Sequence, residues 1–173
     1  MDVYECLRSR RTVRHFSQGE VSQTTVKRIL NAARWAPSSR NQQPWHLVVV
    51  RNRKTLEQIG KVAKTGSFIG DAPLAIAIVM ESADQPGMDA GRALQQMEIM
   101  AWSEGLGTCF VTLNTEEQVS IAKILHIPDE LKLITVLPFG IRSSDFKVNG
   151  TPRKPLSELV HIESFGKFMP PEN

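Results

Sequence analysis

Apolar positions follow two periods along this chain, and the switches between them mark out its elements. Residues 2–9 place Val3, Cys6 and Leu7 on one helical face. Residues 10–21 show no period and read as an extended loop. Ser22 can cap a helix running to about Trp35, with Val26, Ile29, Leu30 and Ala33 as its inner face, and Pro37 ends it. A polar stretch over 38–43 leads into a strand over 45–50. Residues 54–64 return to the helical period through Leu56, Ile59, Gly60 and Ala63. Residues 72–80 are apolar at nearly every position, which predicts a strand buried on both faces.

The longest helical period covers 88–106. One stripe holds Ala90, Ala93, Leu94, Met97 and Met100, and a second holds Ile99, Trp102 and Leu106. Apolar residues around most of the circumference predict a helix covered on several sides, either central or shared with a second subunit. A third strand is expected over 107–113. Thr115 with Gln118 forms a capping-box pattern for a helix to Leu125, and a fourth strand is expected over 131–139. From Gly140 onward the chain reads as irregular, with Pro152, Pro155, Pro170 and Pro171 and a short helix near 156–160. Helices alternate with strands too apolar for a one-sided sheet. The pattern predicts an α/β or α+β sandwich with helices on both faces. No repeat or linker divides it, so 1–173 is read as one domain.

Composition narrows the class. Hydrophobic residues make up 41% of 173, enough for a buried core, and no apolar run approaches the roughly 20 residues of a membrane helix. The first residues lack a basic segment followed by an apolar one, and Cys6 and Cys109 make no disulfide framework, so a cytoplasmic protein is expected. The net charge of +3 is unevenly spread: Arg8, Arg10, Arg11 and Arg14 fall within one short stretch, followed by His15. An anionic partner is expected there.

Several chemistries are disfavoured. Gly105-Leu106-Gly107 lacks a third glycine and closes a helix instead of opening one, the reverse of a dinucleotide-binding turn. There is no Walker A segment, Cys-x-x-Cys, G-x-S-x-G elbow or pair of histidines at metal-ligand spacing, so no metal is expected. Three segments remain. Arg10, Arg11 and Thr12 could clamp a phosphate through guanidinium forks and a hydroxyl, although most charge runs are solvated surface. Residues 37–45 offer side-chain amides and hydroxyls to a polar ring edge, or are simply a connector with turn residues. Gly105 and Gly107 permit close approach of backbone to a flat ligand, or merely cap a helix.

Taken in order, these segments resemble the nitroreductase family of flavoproteins. That family's R-R-[ST]-x-R-x-F is matched by Arg10-Arg11-Thr12-Val13-Arg14-His15-Phe16. Its A-P-S-[SA]-x-N-x-Q-P-W is matched from Ala36 to Trp45, and D-A-P by Asp71-Ala72-Pro73. G-L-G-[ST]-C falls at Gly105 to Cys109, I-P-[DE]-E at Ile127 to Glu130, L-P-x-G at Leu137 to Gly140, and R-K-P-L at Arg153 to Leu156. The resemblance spans residue 2 to about 160.

The resemblance implies a nitroreductase-like α+β fold: a central mixed or antiparallel sheet with helices on both faces, in an intertwined homodimer. It implies FMN at the subunit interface, with NADH or NADPH as co-substrate and a small organic electron acceptor such as a nitroaromatic or quinone. Arg10, Arg11 and Thr12 would hold the phosphate and ribityl chain, completed by Gly140, Arg153 and Lys154. Arg14 would lie near N1 and O2 of the flavin. Pro37, Ser38, Ser39 and Asn41 would come from the other subunit, and the backbone of Val111, Thr112 and Leu113 would pass the flavin. The tail over 160–173 would pack on the partner. No side chain is expected as acid or base, because the flavin carries the hydride chemistry in a ping-pong cycle.

The chain is shorter than the larger nitroreductases, which leaves Phe68, Trp102 and Phe110 as candidates for the substrate pocket. Cys109 reads as core packing. Two alternatives stand beside the reductase. The same fold can serve dehalogenation, flavin degradation or azoline oxidation. The patch from Arg8 to Arg14 could instead bind nucleic acid, a reading that the modest net charge and the lack of any recognition motif disfavour.

Overall fold

The computed structural model describes residues 2–143 and 150–170. In chain order, helices α1 (Val3–Ser9), α2 (Gln23–Arg34), α3 (Arg53–Val62), α4 (Pro86–Ser103), α5 (Thr115–Ile124) and α6 (Leu156–Leu159) accompany strands β1 (Phe16–Ser17), β2 (Trp45–Val50), β3 (Leu74–Met80), β4 (Leu106–Thr108) and β5 (Lys132–Arg142). None of the described helices is long and apolar enough to cross a membrane.

The sheet runs β1-β5-β3-β2, with β4 also on β5, and every strand pairing is antiparallel. At its centre β3 is buried at all seven positions. Side chains alternate across a strand, so its residues divide by parity. Leu74, Ile76, Ile78 and Met80 join Val26, Ile29 and Ala33 of α2 and Ala90, Ala93 and Met97 of α4. Ala75, Ala77 and Val79 join Leu56 and Ile59 of α3 and Ile121 of α5. The β2 register follows the same division, Leu47 opposite Ile78 and Val48 opposite Ala77. The result is an α+β sandwich with two helices on each face, as the apolar pattern predicted.

Four sequence expectations are corrected. The strand expected over 107–113 ends at Thr108. Its pairing runs Leu106 to Ile141, Gly107 to Gly140 and Thr108 to Phe139, so the next residue opposite would be Pro138, which has no N–H for a ladder. Residues 109–114 continue outside the sheet, held where Thr135 Oγ1 donates to the Val111 carbonyl at 2.8 Å. The capping box of α5 is Asn114 with Glu117, one residue before the expected Thr115 and Gln118. The strand expected over 131–139 extends through Gly140 to Arg142, because Phe16 and Ser17 pair with that end. In α1 only Cys6 is buried, while Val3 and Leu7 are exposed. The irregular tail is described except for residues 144–149 and 171–173, which include Pro171. Gly107 and Gly140 face each other where the arginine segment crosses the sheet. A Cβ on Gly107 would stand 2.5 Å from Val13, and one on Gly140 would stand 2.6 Å from Phe16.

Glu117 ties α5 to α3. Its carboxylate accepts from Asn114 N at 2.8 Å and from Lys64 N at 3.0 Å, and these two backbone bonds hold its pKa below the ordinary 4.5. A lowered pKa stabilises the fold above the ordinary value, and that stabilisation is lost as pH falls through the lowered one. Glu117→Gln should therefore be less stable than wild type near neutrality, with the gap closing below about pH 4.5. Urea midpoints measured across pH check this, and parallel curves would refute it.

Candidate functional site

The arginine segment leaves the end of α1 and docks onto α4. Trp102 Nε1 donates to Ser9 Oγ at 2.8 Å, and Arg10 Nη1 lies 3.7 Å from Glu98 Oε2. Beyond this point the arginines diverge. Arg11 Nη1 donates to the carbonyls of Arg8 and Arg10 at 2.6 and 2.9 Å. Its Nε is buried and has no partner among the described residues. A cavity of about 390 Å³ opens beside it, lined by Tyr4, Leu7, Arg8, Arg11, Thr151 and Arg153. Three guanidiniums share this wall, and no carboxylate lines it among the described residues. An unmet buried donor in such a place asks for an anionic acceptor. Arg14 points elsewhere, its guanidinium 5.9 Å from the centre of the Phe68 ring.

The polar loop over 37–45 is anchored at the opposite end of α4. Asp89 is fully buried, and both of its oxygens accept from Ser39 N at 3.1 Å, while Arg92 Nη1 donates to it at 3.1 Å. Gln43 N donates to Ser38 Oγ at 2.9 Å. These bonds hold a strained backbone: Arg40, Asn41 and Gln43 have φ of 49°, 57° and 49°. Each such non-glycine residue costs about 1–2 kcal/mol, so the anchors are needed to fix the shape. Pro37 and Asn41 are exposed and Ser38 and Ser39 half-buried.

The sequence-derived candidates thus fall into groups. Arg11 and Arg153 meet in one cavity, and Thr12 and Lys154 are exposed next to them in sequence. Arg10 is turned to Glu98, away from that cavity's wall. Gly140 lies inside the sheet, its Cα covered by Phe16. Val111 and Leu113 are buried and Thr112 exposed in the segment outside the ladder. Of the candidate pocket residues, Phe110 is exposed and Phe68 half-buried. Trp102 is corrected: it is 3% exposed, packed under the Arg142 guanidinium at 3.8 Å and bonded to Ser9, because the arginine segment covers it. Cys109 is buried as expected, and burial pushes its thiol pKa up against the opposing pull of Arg14.

Sequence reasoning counted Arg8 in the charge run without giving it a place in the flavin site, and it missed Asp89 and Glu98. Arg8 lies in the last turn of α1, and Arg11, just beyond the helix, folds back to donate to the Arg8 carbonyl at 2.6 Å. Asp89 and Glu98 are acids within the apolar stripes of α4, where a charge requires a partner. Asp89 and Glu98 stand nine residues apart, about 14 Å along the helix axis. One chain therefore holds the loop and the arginine segment at separate places.

An antiparallel α+β sandwich with an arginine-lined cavity and a loop rich in side-chain amides and hydroxyls is the class this geometry defines. The profile of the nitroreductase family matches residues 7–86 and 61–141. The chain belongs to the nitroreductase family and is an oxidoreductase of that family. It is 35% identical over 147 residues to a Methanothermobacter thermautotrophicus protein provisionally named as an NADH dehydrogenase/NAD(P)H nitroreductase, covering 81% of this chain and 77% of the relative. An iodotyrosine deiodinase of Thermotoga neapolitana is 23% identical, covering 91% and 95%. The solved structure of an FMN-dependent nitroreductase from Clostridium difficile superposes with a TM-score of 0.86 at 25% identity, covering 94% of this chain and 99% of that one.

Asp89→Ala should release the Ser39 amide and destabilise the protein by about 1–3 kcal/mol, the cost of losing a charged buried acceptor. Hydrogen exchange should accelerate at Ser39 and its neighbours more than in α5. Unchanged protection of the loop would show that Asp89 does not anchor it.

Proposed function

We propose that this protein is an FMN-dependent oxidoreductase that passes hydride from NADH or NADPH to a small organic acceptor, at two sites in the interface of a homodimer. The observation that carries the reading is Arg11 Nε, which has no partner among the described residues, beside the cavity shared by Arg8, Arg11 and Arg153. A phosphate dianion supplies the missing acceptor and the missing negative charge together. Thr12 and Lys154 would add donors near the same group. When bound, FMN supplies the hydride chemistry. The chain's own part is to hold the phosphate, to set a cation, Arg14, toward the flavin ring, and to leave the backbone of Val111, Thr112 and Leu113 outside the sheet, where it can pass the ring.

The dimer is supported by the separation along α4. Loop residues Pro37, Ser38, Ser39 and Asn41 would complete the pocket of the other subunit, since their anchor stands well apart from that of the arginine segment. The flank between α2 and α4 fits a contact surface: Trp35 is 73% exposed, beside Ile99 and Met100 in a largely apolar groove. In the tail, Phe165 is 94% exposed, which accords with packing on a partner. Nucleic-acid binding by the Arg8–Arg14 patch loses ground, because Arg10 is turned to Glu98 and Arg14 to Phe68. Similarity to a deiodinase keeps reductive dehalogenation as the second reading.

The purified protein should be yellow or bind added FMN, and NADH or NADPH should bleach it. Flavin binding without reduction by either nucleotide would favour the second reading, and no flavin binding at all would defeat the proposal. Arg11→Ala should weaken FMN binding by about 1.5–3 kcal/mol, as for loss of a charged hydrogen bond. A titration showing unchanged affinity would misplace the phosphate.

The shared site has its own test. Protomers altered at Arg11 and protomers altered at Ser38 and Asn41 should each bind FMN poorly alone. Mixed dimers should regain one intact site. No regained binding would count against a site built from two chains.

A further inference from the structure

The arginine segment is fixed to α4 at two points on one helix face, four residues apart: Trp102 holds Ser9 and Glu98 holds Arg10. The second point is a charge pair within the protein. The Glu98 side chain is 6% exposed and that of Arg10 24%. Burial raises the Glu98 pKa above the ordinary 4.5, and the neighbouring Arg10 charge partly offsets that rise. The pair does not stand alone. Val13 N donates to the Thr108 carbonyl at 2.9 Å, which sets Arg14 and the buried Cys109 each one residue on from that bond, and the charges of Arg14, Glu98 and Arg10 all bear on the Cys109 thiol, a cluster where the arginine segment meets β4. Glu98 brings the carboxylate to that cluster.

We propose that Glu98 is a positioning residue that fixes Arg10 and, by offsetting its charge, lowers the reduction potential of the flavin bound beside Arg14. The inference rests on the FMN reading above. A reduced flavin ring carries negative charge, so each nearby cation favours reduction and each nearby anion opposes it. Glu98 is buried and Arg10 only partly exposed, so their charges are screened less than those of free surface groups. Arg10 and Glu98 largely cancel each other, which leaves Arg14 as the net cation toward the ring. In this account Arg10 is committed to the protein, and the phosphate falls to Arg11, Arg153 and Arg8.

The signs of three shifts test the proposal. Midpoint potentials of FMN-loaded protein would be measured by redox titration against reference dyes. Glu98→Gln removes a negative charge and should shift the potential upward. Arg10→Gln removes a positive charge and should shift it downward. The double variant removes both and should lie near wild type. A part that only propped the segment in place would move both single variants in the same direction, and the double at least as far. Breaking one half of a buried pair is costly, so Glu98→Gln is the variant most exposed to misfolding. In that event the double variant is compared with Arg10→Gln: it should lie at the higher potential, because the two differ only in the Glu98 charge. Equal potentials in that pair, or shifts of the same sign in the two single variants, would overturn the inference while leaving the flavin reading intact. Wild-type protein that binds no FMN would overturn both.

Discussion

Burial of β3 on both faces is the constraint on which the rest of the molecule depends. A strand with no polar face needs helices above and below, and its parity decides what they can be. Large side chains at Leu74, Ile76, Ile78 and Met80 meet α2 and α4, while Ala75, Ala77 and Val79 meet α3 and α5. The large-residue face carries α4, whose residues Ala90, Ala93, Met97 and Ala101 are small or flexible enough to seat on it. An 18-residue helix fixed in this way becomes the rigid member to which both candidate binding segments attach.

Each segment attaches through a buried acid on α4. Asp89 receives the Ser39 amide and Glu98 receives Arg10. A buried carboxylate is costly without partners, so each acid fixes its segment as firmly as the segment satisfies the acid. The spacing of the two acids then sets the spacing of the segments. The division of labour among the arginines follows. Arg10 is drawn to Glu98, Arg14 lies over Phe68, and Arg11 is left facing a cavity with Arg8 and Arg153. A run of like charges that would read as one patch is separated into a structural pair, a cation over the Phe68 ring and a group of guanidiniums around one cavity.

Family membership and this geometry bear on different questions. The family places the chain among oxidoreductases, while its similarity to both nitroreductase and deiodinase proteins leaves the acceptor to be found by experiment. The arrangement around Glu98 bears on how strongly a bound flavin would be reduced, a property of this chain's own charges.

The amino-acid sequence alone determined the sandwich. Unbroken apolar character over Leu74–Met80 requires cover on two sides, and the helical spacings of Val26, Ile29 and Ala33 and of Leu56, Ile59 and Ala63 supply it. The order of its motifs also pointed to the family and to Arg11 and Arg153. The register of β4 against Pro138, the fate of Trp102 and the partners of Arg10 were decided only in the tertiary structure. Each depends on a residue distant in sequence: Pro138 opposite the end of β4, Ser9 against Trp102, Glu98 against Arg10. Local periodicity reports which face of an element is apolar. It does not report which charge from another element will meet that face, and that meeting separates a cavity-facing arginine from one paired within the protein.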